Sequence, residues 1–258
     1  MREVIRVELL EKEYVKKVHF DDGSIGVWKA PRKESDFNTK LKEQFNEIFC
    51  AKVLDEYVDS CLRPELFDLD QEFGILTTFI EEEWSNTTDN SVLSNSSKLP
   101  SFFVFDIFFH QKDKGLGAER HLRIKIMPDG SRCLCAIDHG FSLMGISQTE
   151  LEPGMDLTPE YFDNLLTAGF INTWSDVESA LYVIDSIGIE RIVMDTARHI
   201  VSTCNLTSET RQIIFKYAYE LVDYLHERRK LLRPALEEWW SAKKGNIEKQ
   251  EVPLNAVP

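Results

Sequence analysis

Nowhere in the 258 residues does an apolar run reach the roughly 18 residues that a membrane-crossing helix needs, so no transmembrane segment is expected. The opening MREVIRVELLEKEYVKK carries too much charge for a secretory leader. Cysteine is sparse and odd in number. Cys50, Cys61, Cys133, Cys135 and Cys204 include no Cys-x-x-Cys pair, which argues against a disulfide framework or a zinc site and for reduced thiols in a cytoplasm. Without a leader, the glycosylation-like triplets at Asn86, Asn95 and Asn205 carry no weight. Positive charge is in deficit: 30 Lys plus Arg stand against 44 Asp plus Glu, a formal net charge of −14. A phosphate backbone or anionic membrane rewards clustered Lys and Arg, so no direct nucleic-acid or membrane binding is expected. A local basic pocket for one nucleotide remains compatible. Glycine does not cluster near the N-terminus, where Gly23 and Gly26 stand apart, and there are no internal repeats.

What is present is a globular composition, 43% hydrophobic and 29% charged, long enough for one two-lobed domain or two small ones. Residues 1–31 alternate in the manner of strands: Val4-Ile5-Arg6-Val7, Tyr14-Val15-Lys16-Lys17-Val18, and, after a turn at residues 21–24, Ile25-Gly26-Val27-Trp28-Lys29. Residues 35–58 repeat apolar side chains at helical spacing (Leu41, Phe45, Ile48, Phe49, Val53, Leu54, Tyr57). A connection with Pro64 over residues 61–69 and a turn at 70–72 lead to a buried strand over residues 73–81. Residues 82–100 are rich in Ser, Asn and Thr and read as an exposed loop. Residues 101–109 read as an apolar helix, although Phe and Val are also good strand formers. Beyond residue 159 the pattern is helical, over 159–168, 175–187, 189–203, 208–230 and 234–244, with caps at Ser175-Asp176 and Thr207-Ser208-Glu209. Arg228 and Arg229 read as a solvated face or one that meets an acidic partner.

Chemistry concentrates in residues 102–145. The apolar helix delivers a polar loop that holds Asp113, Lys114, Glu119, Arg120 and His121. Two alternating runs, 121–127 and 132–137, flank the Pro128-Asp129-Gly130 turn and predict a hairpin, which ends in Asp138-His139-Gly140. A hairpin of this length brings the loop carboxylate and the post-strand carboxylate near each other. Phosphoryl transfer needs that pairing: one carboxylate orients or deprotonates the acceptor, and another holds Mg²⁺ against the nucleotide phosphates. The bland alternative is a turn with no chemistry.

Residues 105–140 resemble the active-site hairpin of the HipA-like kinases and, more distantly, of phosphatidylinositol kinases. Phe105-Asp106 is followed at the family spacing by Gln111-Lys112-Asp113-Lys114, and Ala136-Ile137-Asp138-His139-Gly140 matches the closing motif. The resemblance implies an α+β, two-lobed protein-kinase-like fold. Residues 1–81 would be a β-rich N-lobe, 82–100 a flexible inter-lobe loop, 101–244 a mainly helical C-lobe with the catalytic hairpin, and 245–258 a tail. It also implies ATP and Mg²⁺ as cofactors, with Asp113 and Lys114 catalytic and Asp138 on the metal. Lys29 on the third strand would hold phosphates, and Glu47 of Asn46-Glu47 would pair with Lys29. Backbone around Phe79, Ile80 and Glu81 would meet the adenine. The implied acceptor is a protein Ser or Thr hydroxyl or the chain itself, and the family is linked with toxin–antitoxin control of bacterial growth. The chain departs from the family in three places. Lys114 replaces an Arg, the Asn that supplies a second metal ligand is missing, with Glu119 or His121 chemically able to replace it, and the glycine-rich phosphate loop is absent. Those departures keep a second expectation open, a catalytically impaired pseudokinase that binds nucleotide or serves as a regulatory module whose acidic surface suits a basic protein. A third is a metal-dependent hydrolase built on Asp113, Glu119, His121 and Asp138.

Overall fold

The structure is a computed structural model. It describes residues 2–10, 14–30, 37–60, 62–83, 89–110, 122–137, 143, 153–154, 157, 163, 171–204 and 206–250, with the backbone alone at 37–39, 90, 103 and 244–250. The fold is α+β, with a small antiparallel sheet in the N-terminal part and a helical C-terminal part.

Three strands open the chain: β1 Val4–Leu9, β2 Val15–Phe20 and β3 Ile25–Lys29. The β2–β3 turn is closed by Asp22, whose Oδ1 accepts from the Ser24 backbone N–H at 2.8 Å and from its hydroxyl at 2.5 Å. Gly23 takes the positive φ of 82° that this turn requires. Helix α1, Phe37–Val58, follows, then β4 Glu65–Leu69 and β5 Glu72–Thr78. The sheet order is β1-β2-β3-β5-β4, all antiparallel, so the chain crosses by way of α1 before β4 takes the far edge.

Strand β4 corrects the sequence reading, which places a connection there. Pro64 reads as a breaker, but it precedes an edge strand, where a missing donor costs no ladder bond. The β4–β5 turn is a two-residue hairpin with Asp70 at φ 55° and Gln71 at φ 69°. Both central residues of such a turn must be left-handed for its twist to match the strands, and Asp is one of the residues that tolerates this.

Residues 89–100 also differ from an exposed loop. Leu93 and Asn95 are buried there. Asn95 Nδ2 donates to the carbonyls of Val58 and Leu134, and its Oδ1 accepts the Leu134 N–H at 3.1 Å. One buried amide thus replaces missing backbone partners at the end of α1 and on the hairpin, which a polar composition alone does not reveal. Helix α2, Leu99–Phe108, begins directly after.

The hairpin forms as its sequence predicts, with β6 Leu122–Ile126 and β7 Arg132–Ala136. Gly130 sits at φ 82°, and Asp129 Oδ1 accepts from the Ser131 backbone and hydroxyl. Cys133 and Cys135 lie on one side of β7 and donate their thiols to the carbonyls of Asp59 and Ser60, so the end of α1 rests on the hairpin. Among the described residues Cys50, Cys133, Cys135 and Cys204 are buried and form no disulfide.

Three further helices complete the described chain: α3 Trp174–Ser186, α4 Ile189–Thr203 and α5 Ser208–Gln250. The cap of α3 is Thr173, which forms a capping box with Asp176, so the helix begins just before the expected Ser175-Asp176. The expected break at Pro234 does not occur, because α5 runs through it. A helix-interior proline costs about 3 kcal/mol. Leu232, Leu236 and Trp239, all buried on one stripe around it, offset that cost by packing. No helix among the described residues is long and apolar enough to cross a membrane.

Candidate functional site

The register of the sheet builds one wall of a cavity. Directly opposed residues in antiparallel strands point to the same face, and Val15, Lys29 and Ile75 form one such row. Lys17, Val27 and Thr77 form the next. The alternate residues face the other way, where Trp28 is fully buried with Val18, Phe20 and Leu76. Gly74 is obligatory on that side, since a Cβ there would lie 2.5 Å from the Trp28 ring and 2.7 Å from the Lys29 carbonyl oxygen.

The second wall is α1. Its rotation is fixed by two polar side chains that flank Glu47. Gln44 Nε2 donates to the Phe73 carbonyl at 2.9 Å, which ties the helix to β5. Asn46 Oδ1 accepts the Tyr217 hydroxyl at 2.7 Å, which ties it to α5. Burial pushes the Tyr217 phenol well above its ordinary pKa, so it stays a donor. Between them Glu47 is 5% exposed and lines the cavity with Lys29.

The third wall is the segment after β5. The Phe79 N–H donates to the Ile25 carbonyl, and the Ile124 N–H donates to the Glu82 carbonyl at 2.8 Å. Glu83 bridges to Arg123 in backbone and side chain, with a carboxylate–guanidinium distance of 3.1 Å. Residues 79–83 therefore carry the chain from the sheet to the hairpin with both ends pinned. Lys17 Nζ lies 4.0 Å from the centre of the Phe79 ring, a cation–π contact that covers its outer side.

The cavity so enclosed measures about 260 Å³ and is lined chiefly by Tyr14, Lys29, Glu47, Phe79, Arg123 and Ile137, with Ile80, Leu10 and smaller apolar groups between. Of the nucleotide-binding residues expected from sequence, Lys29, Glu47, Phe79 and Ile80 meet here, whereas Glu81 is exposed and off the wall. Asp113, Lys114, Glu119, His121 and Asp138 lie outside the described residues. Their neighbours are placed: His110 is buried at the end of α2, Leu122 is buried at the start of β6, and Ile137 lines the cavity. Among the described residues no group of His, Cys, Asp and Glu is arranged to hold a metal ion.

Arg123, Leu10 and Tyr14 were not anticipated. The alternation of Leu122-Arg123-Ile124-Lys125 holds the signal for Arg123, because Leu122 and Ile124 take the core face and leave Arg123 on the other. Arg228 is the larger correction. It is 0% exposed rather than solvated. Leu221, Leu225, Leu232 and Leu236, all fully buried, place it on the core stripe of α5, a periodicity that identifies the position. Arg229 donates to the Ile187 carbonyl at 2.8 Å and so serves the end of α3, and burial lowers its pKa.

A lysine on the third strand and a glutamate on the next helix thus line one cavity beside a five-stranded antiparallel sheet in an α+β fold. No family model matches the chain, and no curated protein matches it. Among solved structures it is similar to the proinflammatory kinase CtkA of Helicobacter pylori, at 12% identity and a TM-score of 0.46, over 90% of this chain and 97% of that one. A likeness at that score and identity assigns neither a family nor an activity.

Proposed function

We propose that the chain is a kinase-like phosphotransferase of the HipA-resembling type, which uses ATP and Mg²⁺ to phosphorylate a protein Ser or Thr hydroxyl or itself. One observation carries the reading: Lys29, Glu47, Phe79 and Ile80 share a cavity whose wall also includes Ile137, the residue before Asp138. The residues present fit a nucleotide. Apolar side chains from the sheet suit a base, and Lys29 and Arg123 supply cationic donors in a chain of net charge −14.

In this reading Lys29 binds phosphate oxygens and Glu47 holds its ammonium in place. Backbone groups at Phe79 and Ile80, which line the cavity, meet the base edge. Asp138 holds the metal, with Glu119 or His121 as a further ligand, and Asp113 orients the acceptor hydroxyl and takes its proton, with Lys114 beside it. Mg²⁺ when bound neutralises charge on the phosphates. The acidic balance suits a basic protein as substrate or partner.

A second reading, a pseudokinase, draws on Leu10 and Tyr14. They line the cavity at the β1–β2 connection, where active kinases carry a glycine-rich loop over the phosphates. Calorimetric titration of ATP, with and without Mg²⁺, followed by a phosphate-transfer assay, separates the two. Wild type should bind, Lys29→Met should bind at least about tenfold more weakly through loss of a charge-assisted contact, and Asp138→Ala should lose the Mg²⁺ dependence. Binding without phosphate transfer favours the second reading. Flat titrations for the wild type in both conditions sink both nucleotide readings.

A further inference from the structure

Helix α5 reaches the segment that begins at His110 through two residues one turn apart. Tyr224 and Arg228 are both buried. The Tyr224 hydroxyl lies 3.3 Å from His110 Nδ1. Arg228 Nε and Nη2 donate to the Ile107 carbonyl at 3.2 and 2.6 Å, Nε donates to the Phe108 carbonyl at 3.0 Å, and Nη1 donates to the Pro153 carbonyl at 2.7 Å.

Three physical facts make this more than packing. The carbonyls of Ile107 and Phe108 belong to the last turn of α2, where i+4 partners run out; Ile107 also accepts the His110 N–H at 3.1 Å, and the guanidinium adds donors there and meets the negative end of the helix dipole. Directly after that turn, His110 holds a left-handed backbone at φ 54°, a conformation a non-glycine residue keeps only when its surroundings impose it. The same arginine reaches Pro153, beyond the Asp138-His139-Gly140 motif, while the Leu143 N–H donates to the Phe109 carbonyl at 2.6 Å. One side chain therefore ties the element that leads to Asp113 to the stretch that follows Asp138.

We propose that Arg228, supported by Tyr224, is a positioning residue that fixes the start of the Asp113 loop against the segment after Asp138. The catalytic consequence rests on the phosphotransfer reading above, whereas the anchoring itself does not. Arg228 touches no substrate. A cationic fork with several directional donors does what Lys cannot, because an ammonium is a point charge without fixed geometry.

The test uses the full chain with Arg228→Lys, which keeps the charge, and Tyr224→Phe, which keeps the ring. Native-state hydrogen exchange is read first, without nucleotide. Arg228→Lys should speed exchange at the Phe109, His110 and Leu143 amides together, at least about tenfold, and leave Ile192 and Val193 of α4 unchanged. Tyr224→Phe should act in the same direction at His110 and less strongly. Equal acceleration in α4, or none at Phe109 and Leu143, overturns the anchoring. Transfer kinetics are read second. The expected result for Arg228→Lys is a kcat lower by about 10- to 100-fold, with ATP affinity within about twofold of wild type, since misplacement penalises the reacting geometry more than the binding walls. An unchanged kcat overturns the catalytic role. A wild type that binds no ATP removes the phosphotransfer reading and the catalytic role together, and exchange alone then decides the anchoring.

Discussion

The sheet and the helical part solve burial differently. The sheet keeps a small cluster of its own, with Val18, Phe20, Trp28, Ala30, Leu69 and Leu76 buried on the face away from the cavity. Trp28 organises it, because its ring is fully buried and its Nε1 donates to the Phe67 carbonyl at 3.0 Å. The helical part shares one larger core that runs through α1, α2, α3, α4, α5 and the hairpin. Helix α1 lies between β3 and β4 in sequence, yet its apolar side chains Phe45, Ile48, Phe49 and Val53 belong to the larger core. Lys29 and Glu47 therefore come from two separately packed regions, and the cavity lies where they meet. Their relative position depends on what crosses between them: Leu66 and Ile75 of the sheet, which pack into the larger core, Gln44 bonded to Phe73, and residues 79–83 pinned to the hairpin.

The harshest way to break that comparison is Trp28→Ala. Loss of a fully buried indole and its hydrogen bond should cost about 3–5 kcal/mol. If the two cores are distinct, hydrogen exchange should rise throughout β2, β3 and β5 while amides of α4 and α5 keep their protection. A uniform rise would show a single cooperative core instead. Gly74→Ala acts from the neighbouring strand with less force. Its methyl would press on the Trp28 ring and the Lys29 carbonyl, and overpacking of this kind costs about 1–3 kcal/mol in chemical denaturation. Because Lys29 shares the displaced strand, ATP affinity should fall in Gly74→Ala even though no cavity side chain is changed.

Much of this was legible in the sequence, for physical reasons that differ by element. Strands β2, β3, β6 and β7 announce themselves by alternation around Asp-Gly turns, β1 by alternation alone, and α1 by its apolar repeat. Lys29 and Glu47 stood out only through the family resemblance, since a strand lysine and a helical glutamate are by themselves ordinary surface residues; the structure puts both on one cavity. The misses were cases in which tertiary contact overrules local preference. Pro64 and Pro234 look like terminators, but an edge strand and a buried stripe absorb them. Asn95 and Arg228 look like surface residues, and only three-dimensional neighbours reveal the backbone carbonyls they serve. Arg123 is marked in the sequence only by its alternation with Leu122 and Ile124, which puts it on the cavity face.

Tyr217→Phe sharpens the comparison from the helical side. The phenol is buried against Asn46, so the change removes one buried hydrogen bond and should cost about 1–2 kcal/mol. It also carries a pH signature. The folded state holds the phenol protonated beyond its ordinary range, and the unfolded chain releases that proton above a pH of about 10. A group whose folded pKa is raised contributes stability that is complete below the unfolded pKa and declines as pH rises past it. Wild type should therefore lose stability above about pH 10 more steeply than Tyr217→Phe, in urea titrations run at pH 8 and pH 10.5.

The smallest effect should come from Arg191→Ala. Arg191 pairs with Glu56 and so links α4 to α1 within the helical part, with side chains 55% and 44% exposed. A pair that open to water is screened by salt and must hold two long side chains in one geometry, so the change should cost under about 1 kcal/mol. Added salt should shrink that difference further, since it weakens the wild-type pair and leaves the alanine variant nothing to lose. A loss as large as that of Tyr217→Phe, or one that salt leaves intact, would mean that α1 is held to the helical part by its surface charges as much as by Phe45, Ile48 and Phe49. The position of Glu47 would then depend on ionic strength, and ATP affinity measured at low and high salt should track it.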